Sequence, residues 1–185
     1  MPRAGSHAQA LGAFYGAQST HYDRFRERLL QGRAELVADI GLHDGAHVVE
    51  LGGGTGRNLE FFGERASRIA RYDVVDLCAP LLECARARRH AFPQLRAIEA
   101  DAATWRPRRP VDAVILSYAL TMIPDWRGAI ANAIAMSLPG IERRPILAAR
   151  LLHRTRNGCE SGRCARLRAR PGHAAPHTRA CGTGG

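Results

Sequence analysis

Val48-Val-Glu50-Leu-Gly52-Gly-Gly54-Thr-Gly56 is the stretch from which the fold is read. Strand-forming residues run into a glycine cluster, and helical sequence with Leu59, Phe62 and Ala66 follows. A chain that ends a strand, turns without Cβ atoms and opens a helix sets backbone N–H groups beside a ligand. The positive end of the helix dipole lies there too. The plain alternative is a tight strand-to-helix turn with no ligand. For a glycine cluster taken alone the two readings stand about even.

The same alternation extends outward on both sides. Upstream, Asp23 to Ile40 carries Phe25, Leu29, Leu36, Val37 and Ile40 near helical period, with Gly41 at the C′ position. Asp44-Gly45 is a turn before the first strand. Downstream, Tyr72–Asp76 reads as a second strand, and Pro80 opens a helix through Leu81, Leu82 and Ala85. Leu95–Glu99 and Val111–Ser117 read as third and fourth strands. Pro124 opens a last helix with Trp126, Ile130, Ala133, Ile134 and Leu138 on one face. Strands alternating with helices predict an α/β fold: a doubly wound, mostly parallel sheet covered on both faces, with right-handed crossovers.

Two acids strengthen the ligand reading. Asp76 lies at the end of the second strand and Asp101 just after the third. In a doubly wound sheet these ends face the crevice that the glycine loop borders. A carboxylate at Asp76 suits two ribose hydroxyls, and one at Asp101 suits an adenine amino group. Each acid alone reads as a solvated loop residue; together with the glycines they point to a nucleoside-binding crevice. Glu50 stands two positions before Gly52, where it repels a pyrophosphate but accepts from an ammonium group. The glycines at 52, 54 and 56 also miss the G-x-G-x-x-G spacing of nicotinamide dinucleotide sites. A nicotinamide dehydrogenase is the weaker alternative.

Glu50-x-Gly52-x-Gly54-x-Gly56, Asp76 and Asp101 resemble the motifs of the class I S-adenosylmethionine-dependent methyltransferases. Phe14-Tyr15, Tyr22-Asp23, Glu50 to Asn58 and Ser117 to Trp126 resemble the N-methyltransferase component of betaine-lipid (diacylglyceryl-trimethylhomoserine) synthesis. The resemblance covers residues 12–140. It implies S-adenosylmethionine as cofactor. Glu50 with Gly52, Gly53 and Gly54 would hold its methionine part. Asp76 and Leu77 would hold the ribose, and Asp101 with Ala102 the adenine. Ser117 and Tyr118 would border the methyl group, and Tyr22 would close the site. Tyr118 is the one catalytic candidate, as an orienter of the acceptor nitrogen; a core-edge tyrosine with a satisfied hydroxyl is the equal alternative. No general base is assigned, because an activated sulfonium needs positioning above all.

The last quarter of the 185 residues breaks the pattern. All 27 basic residues are Arg. Residues 1–140 hold 17 Arg against 15 acids, a net of +2; residues 141–185 hold 10 against two, a net of +8. All 11 aromatics lie between Phe14 and Trp126. The expected organisation is a partial methyltransferase domain at 1–140 and a disordered Arg-rich tail at 141–185, with the sheet incomplete on its C-terminal side. Ile141–Leu147 is not expected to form a strand. A frame-shifted translation after about residue 140 accounts for the tail's composition better than its two functional readings. Those are a nucleic-acid arm and a zinc site at Cys159, Cys164, His173 and His177.

The function expected is therefore N-methylation of an amino-acid-type lipid head group, or of another small molecule. The alternatives are a cofactor-binding remnant without turnover and an RNA-associated methyltransferase using the basic tail. No apolar run approaches the roughly 20 residues of a membrane span, and no secretory signal is visible. Five cysteines do not make a disulfide scaffold. A cytoplasmic protein is expected, peripheral to the inner membrane in the lipid case.

Overall fold

The computed structural model describes residues 4–16, 23, 30–136, 146–150 and 165–167. Helix α1 spans Ala4–Gly16 and α2 spans Arg33–Ala38. Strand β1 (Ala46–Leu51) leads through the glycine loop into a 3-10 segment, Arg57–Arg68, and then into β2 (Ile69–Asp76). Helix α3 (Ala79–Ala87), β3 (Leu95–Glu99), β4 (Ala113–Ser117) and α4 (Trp126–Met136) follow. The last strands are β5 (Ile146–Arg150) and β6 (Ala165–Leu167).

The sheet order is β3-β2-β1-β4-β5-β6. All pairings from β3 to β5 are parallel, and β6 is antiparallel to β5. This is the doubly wound α/β sheet expected from the alternation. Because β2 lies on one side of β1 and β4 on the other, the chain reverses direction across the sheet there. A crevice opens at the strands' carboxyl ends. Both sheet faces are apolar: Val48, Tyr72, Val74 and Leu95 pack beneath the 3-10 segment and α2, while Val49, Leu51, Val75 and Leu116 pack against α4. Every residue of β1 and β4 is buried, as strands covered on both sides must be.

Four local expectations are corrected. Of the helix read from Asp23 to Ile40, residues 24–29 lie outside the described residues. Among the described ones the helix is interrupted at Leu30 to Gly32, where Gly32 is left-handed (φ 79°), and α2 then ends at Asp39, whose backbone stays right-handed, while Gly41 has no positive φ. The helix after the glycine loop is 3-10, kinked at Gly63 (φ 56°, ψ −133°). On α4 the buried residues are Ala129, Asn132 and Ala133, while Trp126 is 41% exposed and Ile134 39%. Small alanines let this helix lie close on the sheet; Ile130 and Met136 pack partly buried at the margin of the contact, while Trp126 and Ile134 are turned aside. Leu138 falls outside the described residues. The sheet also passes the boundary drawn at Gly140. Ile146 and Leu147 enter β5, in register with Ala113 and Val114. The open hydrogen-bonding edge of β4 recruits this segment, which its own sequence pattern did not announce.

The zinc-spaced residues Cys159, Cys164, His173 and His177 lie outside the described residues. No helix among the described residues is long and apolar enough to cross a membrane.

The N-terminal edge of the sheet is tied by Asp112. It accepts the His47 amide at 2.8 Å and pairs with His43 at 2.8 Å, while its own amide donates to the His47 carbonyl. Burial pushes the Asp112 carboxyl up, but the His47 amide and the two histidines outweigh it and hold it below its usual value. A lowered native pKa means that the unfolded chain binds more protons near pH 3.8. The stabilisation is therefore present above that pH and lost as pH falls through the lowered value. Asp112→Asn is expected to cost about 1 kcal/mol at pH 7. In urea titrations the gap to wild type should close progressively below pH 3.8.

Candidate cofactor-binding site

The glycine loop is shaped by what lies under it. Glu50, 2% exposed, accepts from Asn58 Nδ2 at 2.6 Å and from the Tyr72 hydroxyl at 2.7 Å. Burial, and then the Glu50 carboxylate beside it, hold the Tyr72 phenol well above its usual range, so it stays a donor. A Cβ on Gly53 would stand 2.8 Å from Val74 Cγ1 and 3.0 Å from Glu50 Cδ. A Cβ on Gly52, which has φ +67°, would stand 2.4 Å from the Ala119 side chain. These two glycines are required by packing from below and from the β4 end.

The loop amides are already committed. Gly52 and Gly53 N–H donate to the Val75 carbonyl at 2.7 and 3.3 Å, and Gly54 N–H donates to Asp76 Oδ2 at 2.9 Å. Asp76 Oδ1 accepts from Cys78 N–H at 2.8 Å. These three amides are thus not available to cradle a pyrophosphate, which weighs against a dinucleotide. The Asp76 carboxylate is pinned in place by two backbone donors.

A cavity at the carboxyl edge of the sheet is bordered by Gly52, Gly54, Asp76, Leu77, Asp101, Ala102 and Tyr118. Its empty space, mouth included, is about 660 Å³. The residues that sequence reading proposed are therefore largely brought together, with four exceptions. Glu50 lies beneath the loop, Gly53 faces down onto it and Val74, and neither lines the cavity. Ser117 is buried at 4%, with its hydroxyl unpartnered among the described residues, and does not line it either. Tyr22 falls outside the described residues.

Asp101 opens a turn in which its Oδ1 accepts the Ala103 amide at 2.8 Å. That turn is held from outside by Asn132 of α4, whose Nδ2 donates to the carbonyls of Ala102 (2.9 Å) and Trp105 (2.8 Å). Sequence reading missed Asn132; its signal is a polar residue beside alanines on a buried helix face. Also missed were His7 and Leu11 of α1, and Met122 to Asp125 after β4, which complete the wall. Cys78 lines it as well, and burial pushes its thiol up, so it acts as an apolar surface.

Tyr118 has φ 58°, a left-handed conformation that costs a bulky side chain about 1 to 2 kcal/mol. Its hydroxyl donates to the Gln31 carbonyl, which joins the end of β4 to the turn before α2. Asp23 makes a second such tie. It accepts from Thr55 Oγ1 of the glycine loop at 2.6 Å and pairs with Arg88.

A family model described as a methyltransferase domain matches residues 48–140, just over half of the chain. The chain belongs to the class I S-adenosylmethionine-dependent methyltransferases. The family's cofactor is S-adenosylmethionine. A trans-aconitate 2-methyltransferase of Azoarcus is 31% identical over 64% of this chain and 46% of its own length. The chain thus spans less than half of the curated relatives it matches. Among solved structures, a SAM-bound amino pentose methyltransferase of Micromonospora echinaspora is 25% identical, with TM-score 0.55, over 72% of this chain and 56% of that one. A chain of the Haloferax volcanii complex of the Trm112 activator with a methyltransferase shares the fold. Its TM-score is 0.60 at 19% identity, over 76% of this chain and 59% of that one.

Two substitutions probe this methyltransferase site. Gly53→Ala forces Val74 or the Glu50 carboxylate to move, and is expected to cost about 1 to 3 kcal/mol in chemical unfolding. Tyr118→Phe removes the tie to Gln31. Amide exchange at residues 30–32 should accelerate several-fold, by the loss of about 1 kcal/mol.

Proposed function

We propose that this chain binds S-adenosylmethionine at the carboxyl edge of the sheet and transfers its methyl group to a small-molecule acceptor. The observation that carries the proposal is the convergence of Gly52, Gly54, Asp76, Asp101 and Tyr118 on one cavity. In this reading the Asp76 carboxylate, held at the cavity wall by the Gly54 and Cys78 amides, accepts from the ribose hydroxyls. Asp101, fixed by the Ala103 amide, accepts from the adenine amino group, and Leu77 and Ala102 flank the base. Gly52 lets the backbone approach closely. Glu50 acts from beneath, by holding the loop through Asn58 and Tyr72. Ser117 acts from the buried end of β4 without lining the cavity, and the cover assigned to Tyr22 rests on the family resemblance alone. When bound, the cofactor supplies a methyl group already activated by its sulfonium. The side chains then need to orient the acceptor and exclude water. Tyr118 is a positioning residue here, since its hydroxyl is engaged by Gln31.

Two acceptor readings each have one observation behind them. The relatives named trans-aconitate 2-methyltransferases favour a carboxylate acceptor. The cavity wall carries Asp76, Asp101 and Asp125 with no Arg among the described lining residues. That sign of charge suits an amine, such as the amino-acid head group of a betaine-lipid precursor, over a polyanion. An RNA acceptor rests on the basic tail, of which only residues 146–150 and 165–167 are among the described residues.

Calorimetric titration with S-adenosylmethionine tests the cofactor reading. Wild type should bind, and Asp76→Ala should bind about 30-fold or more weakly, by the loss of two hydrogen bonds to a charged group. A folded chain that binds none would reject it. Transfer of labelled methyl to trans-aconitate, or to vesicles holding diacylglyceryl homoserine, then separates the acceptor readings. Binding with transfer to neither leaves the remnant without turnover.

A further inference from the structure

A second cavity, of about 450 Å³, lies at the opposite, N-terminal edge of the sheet. Arg71, Arg96 and Arg109 line it with His47, Pro110 and Asp112. Strand register accounts for the convergence. Residues paired across parallel strands project to the same face. His47 of β1 pairs with Arg71 of β2, and Asp73 of β2 pairs with Arg96 of β3. Arg71 and Asp73 are two residues apart, so all four stand on one face. It is the face that carries Val49, Leu51 and Val75 further along. Arg109 joins from the segment before β4.

The carboxylates around this cavity are satisfied. Asp73, fully buried, accepts from His47 Nε2 at 2.8 Å and from Arg71 Nε at 2.9 Å on each oxygen. His47 Nδ1 is matched by the Pro110 carbonyl at 2.8 Å. Asp112 is engaged by the His47 amide and by His43. The guanidinium groups are not satisfied among the described residues. Arg71 uses only its Nε. Arg96 uses only Nη1, on the carbonyls of Pro93 and Leu95. Arg109 has no hydrogen bond or ion pair there.

We propose that this cavity binds a polyvalent oxyanion, a phosphate ester or a polycarboxylate. Its oxygens take the free edges of Arg71 and Arg96 and the guanidinium of Arg109. A guanidinium presents paired, coplanar donors that match carboxylate and phosphate oxygens. With Asp73 and Asp112 counted and the histidines neutral, the three arginines leave the cavity a net charge of +1, and it is their directed donors, which a spherical halide does not match, that select an oxyanion. The volume lies in the range of small-molecule sites. The competing explanation is diffuse attraction to a chain with 27 Arg. Diffuse attraction does not depend on which arginine is removed.

The test is calorimetric titration of the full chain with pyrophosphate and with citrate, at constant ionic strength held with sodium chloride. Wild type is compared with Arg96→Gln, Arg109→Gln and Arg86→Gln, the last on α3 and away from the cavity. Arg96 and Arg109 are exposed and Arg86 is half-buried. Circular dichroism with thermal unfolding verifies each variant's fold. Saturable one-site binding of either probe is expected, weakened about tenfold or more by each cavity substitution and unchanged by Arg86→Gln. Pyrophosphate alone would mark a phosphate ester, citrate alone a polycarboxylate. Absence of saturable binding, or equal weakening by Arg86→Gln, overturns the proposal.

Discussion

A buried carboxylate must have its oxygens satisfied, and Glu50 meets that constraint with two donors from two different elements. Tyr72 comes from β2 and Asn58 from the first turn of the 3-10 segment. The acid therefore ties β1, β2 and the helical entry together directly under the glycine loop. Gly53 has no side chain because Glu50 and Val74 already occupy that space. Once the loop is set, its amides fall on Val75 and Asp76, and the Asp76 carboxylate is held toward the cavity. The site above depends on this arrangement below it.

The sheet has two chemically opposite ends. At the carboxyl edge, three aspartates border an open cavity, and all three are fixed by backbone amides. At the amino edge, three arginines surround carboxylates that other groups have already satisfied. The apolar interior of the strands lies between. Side-chain ties from distant segments reinforce the carboxyl edge. Tyr118 reaches Gln31, Asp23 reaches Thr55 and Arg88, and Asn132 holds the turn after Asp101.

Elements written in a local pattern are legible in the sequence. The strands at Val48, Tyr72, Leu95 and Val114 are short apolar or β-branched runs bounded by turn residues. The helix at Pro80 starts where proline is tolerated. Asp76 and Asp101 are legible because a strand end in this topology has only one rim to face. β5 is not legible, since Ile146 to Arg150 is recruited by the edge of β4. The face of α4 is misread because an apolar stripe with Trp126 and Ile134 looks more buried than one of alanines, yet alanines permit the closest approach.

The sequence by itself determined the doubly wound sheet, the glycine turn and the acids at its rim, because these follow from residues within a few positions of one another. Only the tertiary structure decided that Glu50 lies beneath the loop, since its partners sit on separate elements. It alone decided that the Tyr118 hydroxyl meets a carbonyl 87 residues away. It alone gathered Arg71, Arg96 and Arg109 into one cavity. Such contacts are set by strand order and register, which no local run of residues encodes.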